Sequence, residues 1–123
     1  MQKRAVLLVD DDAAFVADLS ESLRGQGCQV VTASDGAEGF ERLKDVQPVL
    51  IVTGFADGEG VTFLTTLRER GLYEDVPKVI ISSEDPKLVQ ARLQEAAVNA
   101  PSLRKDVDRG VLLRTVREAW AAP

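Results

Sequence analysis

LIVTGFADGEG, Leu50 to Gly60, opens as a buried strand and breaks at Gly54 into glycines and carboxylates. The run up to the break is apolar and β-branched, the composition of a strand covered on both faces. GVTFLTTLRERG, from Gly60, then sets Val61, Phe63, Leu64 and Leu67 at helical spacing and closes on Gly71. A strand, a polar loop and an amphipathic helix make one half of a βαβ unit. A parallel sheet built from such units places its ligands at the carboxyl ends of its strands. What stands at Gly54 is therefore the first question for function.

The same alternation extends in both directions. AVLLV (Ala5 to Val9) reads as a strand, followed by a helix capped by Asp12 with Phe15, Val16, Leu19 and Leu23 on one face. Gly25 and Gly27 end that helix, and CQVVTA (Cys28 to Ala33) is the second strand. A helix through Ala37, Phe40 and Leu43 precedes Pro48 and VLIVT (Val49 to Thr53). KVIIS follows Pro77; a helix runs from Pro86 to Ala97 with Leu88, Val89 and Leu93 inward. A short strand near Ser102 and Leu103 leads to a last helix through Val111, Leu112, Val116 and Trp120. Five β-α units with short connections imply a doubly wound five-stranded parallel sheet of order 2-1-3-4-5, flanked by five helices in one domain spanning residues 1–123.

Composition narrows the function. Among 123 residues there is no histidine, which removes His-based acid–base catalysis and His-rich metal sites, and the single Cys28 excludes an internal disulfide. No run is long and apolar enough for a membrane span, and the basic start MQKR meets three aspartates too soon for a signal peptide, so a cytoplasmic location is expected. The net charge of -5 argues against nucleic acid as the main partner. From Pro86 onward, seven basic residues face four acidic ones, leaving the acidic excess in the first 85 residues. GFADGEG matches neither a dinucleotide loop nor a P-loop.

Asp10, Asp11 and Asp12 follow the first strand, Thr53 and Gly54 the third, Ser82 and Ser83 the fourth, and Arg104, Lys105 and Asp106 the fifth. Carried by LLVDDD, PVLIVT, VPKVIISS and LRKDVD in that order, the chain resembles the receiver domain of two-component response regulators over essentially its whole length. The resemblance implies the flavodoxin-like receiver fold. It also implies an acid pair for magnesium (Asp10, Asp11), a strand-end aspartate that accepts a phosphoryl group, and a hydroxyl (Ser82) and lysine (Lys105) for its oxygens. Counting from Pro48, the acceptor position falls on Gly54, which has no side chain to phosphorylate.

Further departures follow the same direction. The loop after Gly54 is shorter than the family's, with Ala56, Asp57 and Gly58 in place of a Met-Pro element. Asp106 replaces the proline after the lysine, and Ser102 replaces the aromatic switch residue of the last strand. The expected protein is thus a pseudo-receiver: no enzyme, no cofactor, and magnesium bound weakly or not at all at Asp10 and Asp11. Structural roles compete with catalytic ones at each position: Lys105 as counter-ion to Asp10 or Asp11, Ser82 satisfying nearby backbone, Trp120 anchoring the last helix.

In the family, the fourth helix, fifth strand and fifth helix form the signalling surface. The resemblance places Lys87, Arg92, Arg104, Arg109, Arg114 and Arg117 there, facing a signalling protein, an output domain or a second copy in a homodimer, with no membrane or nucleic acid contact. The alternatives are a phosphorylatable receiver using Asp57 as substitute acceptor, and a small flavodoxin-like cofactor binder.

Overall fold

The computed structural model describes residues 3–54 and 59–121. Five parallel strands, β1 (Lys3–Val9), β2 (Val30–Ala33), β3 (Val46–Thr53), β4 (Lys78–Ser82) and β5 (Ser102–Arg104), form one sheet in the order β2-β1-β3-β4-β5. Five helices alternate with them: α1 (Ala13–Gly25), α2 (Gly36–Leu43), α3 (Glu59–Glu69), α4 (Pro86–Glu95) and α5 (Arg109–Ala121). This is the expected doubly wound sheet.

The pleat explains the two cores. Successive strand residues point to opposite faces. Val6 and Leu8 of β1 therefore join Leu50 and Val52 beneath α1 and α5, while Leu7 and Val9 join Ile51 and Ile80 beneath α2, α3 and α4. Leu19 and Leu23 of α1 and Leu112 and Val116 of α5 close the first layer; Leu43, Phe63, Leu64, Leu67, Val89 and Leu93 close the second.

Local chemistry sets the boundaries. Asp12, Asp35 and Asp85 each accept a backbone N–H at a helix start, from Phe15, Glu38 and Lys87, and Pro86 supplies a first-turn residue that needs no donor. α1 ends in a Schellman motif: Cys28 N donates to Leu23 O and Gly27 N to Arg24 O, with Gly27 at φ +90°. α4 ends the same way, Val98 N on Leu93 O and Ala97 N on Gln94 O, but the left-handed residue is Ala97, at φ +55°.

Several boundaries and inward positions differ from those expected. β3 begins at Val46 and includes Pro48, because a register shift opposite Ala5 and Val6 leaves Val49 as the extra residue. β2 begins at Val30, since Cys28 is spent on the helix cap, and α4 stops at Glu95 rather than Ala97. Leu88 and Val111 do not point inward; they are 47% and 41% exposed. Ala37 is exposed too, and α2 buries Gly39 and Leu43, with Gly39 allowing the Phe63 ring to approach. Trp120 packs, partly buried, against the α1–α5 core.

Candidate functional site

Four strand ends meet at the carboxyl edge of the sheet. Asp10 leaves β1 with its backbone N–H on Ala33 O, and its side chain is buried. Its Oδ1 accepts the Asp12 N–H at 2.9 Å, and its Oδ2 lies 2.8 Å from Lys105 Nζ. No well-aligned hydrogen bond reaches Oδ2 among the described residues, so the ion pair alone compensates it. Burial pushes the Asp10 carboxyl above its ordinary 3.8, outweighing the Lys105 ammonium and the Asp12 N–H, which pull it down.

Lys105 is positioned by its own backbone, whose N–H donates to Ser82 O at 2.9 Å across β4 and β5. Among the described residues its ammonium meets Asp10 Oδ2, Asp12 Oδ2 at 3.6 Å, and the face of Phe15, 4.7 Å from the ring centroid. Asp12 also caps α1, and the N–H of Phe15 holds its carboxyl below the usual value. Asp11, at the bend, is exposed and with Asp10 lines a cavity of about 370 Å³ between α1, the end of β2 and α2. The second acid beside Lys105 is therefore Asp12, not Asp11.

Ser82 is buried, and its Oγ accepts the Glu84 N–H at 3.1 Å. Glu84 in turn receives both contacts of Arg92 Nη1, at 3.0 and 2.8 Å, tying the β4–α4 loop to α4. On the other flank of α4, Gln90 Nε2 donates to Ala100 O at 3.1 Å and to Ser102 Oγ at 2.9 Å. Gln90 carried no motif in the sequence, and only its helical position opposite β5 gives it this role.

Gly54 is the centre of the site. It is buried, and its N–H donates to Val9 O at 3.1 Å. A Cβ built on it would fall 2.0 Å from Ile81 O and 2.6 Å from Asp10 Oδ2. The volume a side chain at position 54 would need is thus taken by the β4 backbone on one side and by the Asp10 carboxylate on the other. Asp57 lies outside the described residues.

Magnesium requires near-octahedral oxygen coordination. Here both Asp10 oxygens are already engaged and position 54 offers no carboxylate; among the described residues no group of three acids converges. Among the described residues this leaves fewer than three carboxylates together for the ion.

The six basic residues expected at an interface fall into two groups. Arg92 pairs with Glu84, Arg104 with Asp106 at 3.1 Å, and Arg109 with Asp18 and Ser22 of α1. Lys87, Arg114 and Arg117 are exposed.

The family model described as response regulator receiver domain matches residues 6–117. The transcriptional regulatory protein PrrA of Mycobacterium leprae is 38% identical over 80 residues, 63% of this chain and 34% of PrrA. The two-component response regulator ARR7 of Arabidopsis thaliana is 32% identical over 103 residues, 73% of this chain and 48% of ARR7. The chain thus spans between a third and a half of these relatives' length. A CheY-like receiver domain protein of Methanospirillum hungatei superposes with TM-score 0.80 at 22% identity, covering 98% of this chain and 94% of that one.

Proposed function

Because the chain belongs to the response regulator receiver domain family of two-component signalling, we propose that it is a pseudo-receiver, working by protein–protein contact without a phosphoryl group at position 54. The observation that carries this reading is Gly54: no nucleophile is present, and the space for one is filled by Ile81 O and Asp10 Oδ2. The Lys105 ammonium, which in a working site would grip phosphoryl oxygens, spends its charge on Asp10 and Asp12.

The docking surface is the face of α4, β5 and α5. It offers the exposed cations Lys87, Arg114 and Arg117 and the exposed apolar side chains Leu88 and Val111, a combination suited to an acidic signalling protein or output domain in the cytoplasm. A covalent input at position 54 cannot bias this surface, and a partner shifts it only through differential affinity. The Gln90 contacts to Ala100 and Ser102 and the Arg92–Glu84 pair favour one arrangement of α4 throughout.

The matches to transcriptional and two-component regulators favour a second reading, a phosphorylatable receiver, whose substitute acceptor would be a carboxylate such as Asp57. Incubation with acetyl phosphate and magnesium followed by intact-mass measurement separates them. The pseudo-receiver keeps its mass. A stoichiometric gain of one phosphoryl group that disappears in Asp57→Ala overturns the proposal.

A further inference from the structure

β2 is an edge strand, and among the described residues one side of its backbone has no neighbouring strand. Gln29 O and Ala33 O are turned toward β1, where they accept Val6 N at 2.8 Å and Asp10 N at 3.0 Å. Backbone groups alternate along a parallel strand, so those of Val30 and Thr32 face outward. The sequence around them, CQVVTAS from Cys28 to Ser34, is uncharged, β-branched and free of proline and glycine. Such a stretch on a free edge is a template for pairing with another strand.

Both outward carbonyls are occupied. Arg24 Nη2 donates to Val30 O at 3.2 Å, and Arg42 Nε donates to Thr32 O at 3.2 Å. The two arginines come from opposite faces: α1 packs in the layer that holds Val30, and α2 in the layer that holds Ala33. Both are exposed, so neither is fixed there by burial. Arg42 is steadied by Glu38, one turn earlier, at 3.4 Å.

We propose that Arg24 and Arg42 are straps that hold the β2 edge shut against strand addition by a second copy of this chain. An incoming strand needs the two carbonyls that the guanidinium groups occupy. Two copies meeting edge to edge would also bring four cations together. The opposite edge is protected differently, by brevity: β5 is only three residues long.

The test compares the wild-type chain with Arg24→Ala/Arg42→Ala by sedimentation velocity over a range of concentrations. The double variant should self-associate at a concentration about tenfold or more below the wild type, the worth of two interstrand hydrogen bonds. Adding Thr32→Pro should reverse this, because the Thr32 N–H faces outward and its loss removes a bond to the incoming strand but none to β1. In the associated double variant, the amides of Val30 and Thr32 should become protected from hydrogen exchange. A double variant that sediments as the wild type does, or whose association leaves those two amides unprotected, overturns the proposal.

Discussion

Replacing Gly54 by alanine should destabilise the domain by about 3 kcal/mol, and the reasoning can be followed atom by atom. The new Cβ would lie 2.0 Å from Ile81 O, and ordinary contact begins at 3.4 Å, so β3 and β4 must separate by more than an ångström at that point. Overpacking of this kind costs about 1–3 kcal/mol, and prising the strands apart adds about 1 kcal/mol for a stretched ladder bond. The stiffer unfolded chain returns about 0.4–1 kcal/mol. Backbone strain does not enter, since Gly54 is not among the positive-φ glycines. For a domain of this size the net figure corresponds to a melting temperature lower by about 10 °C. Gly54→Asp should fall at least as far, because its carboxylate would also crowd Asp10 Oδ2. The assay is thermal unfolding by circular dichroism, with acetyl phosphate and intact mass applied to the aspartate variant. A Gly54→Asp protein as stable as the wild type that gains one phosphoryl group would refute the closed site and leave a receiver lacking only its carboxylate.

Lys105→Met should cost about 3 kcal/mol in urea unfolding, because it strands the buried Asp10 carboxylate, and adding Asp10→Asn should recover most of that loss. The folded pKa of Asp10 is raised, so its contribution to stability is full below the ordinary 3.8 and is lost as pH rises through the folded value. Urea midpoints measured from neutral pH downward should therefore show an acid-side gain from Asp10, opposed by other carboxylates, that Asp10→Asn lacks; parallel profiles would contradict it. Gln90→Ala should speed hydrogen exchange in α4 and β5 by about fivefold while leaving β1 and β3 unchanged, the clip to Ala100 and Ser102 contributing about 1 kcal/mol. Ala97→Gly should stabilise the chain by about 1 kcal/mol, since the left-handed cap at φ +55° costs alanine what it does not cost glycine.

The sheet order was legible because near-continuous apolar strands alternating with amphipathic helices admit few arrangements. That Gly54 stands where the third strand ends was legible too, since the end of the apolar run needs no coordinates. What the chain could not disclose is long-range contact. The obstruction at Gly54 comes from Ile81 O on β4, and the Arg109–Asp18 pair joins residues 91 apart. Asp10, Asp11 and Asp12 are indistinguishable as letters; only the bend after β1 decides which two face Lys105. Leu88 and Val111 fit a helical apolar spacing and are nevertheless exposed, because a repeat at three and four positions does not say which member lies at the rim of the buried stripe. The end of α4 was missed because Ala97 occupies a position that glycine usually announces.

The close approach of β4 to Gly54 also bears on how such a sequence can change with time. A substitution that supplied a carboxylate at this place would leave a chain that folds less well before it could gain any chemistry. Room for such a side chain would have to come first, from substitutions that relax the backbone around Ile81. Until those occur, selection on stability works as a ratchet that keeps the glycine in place.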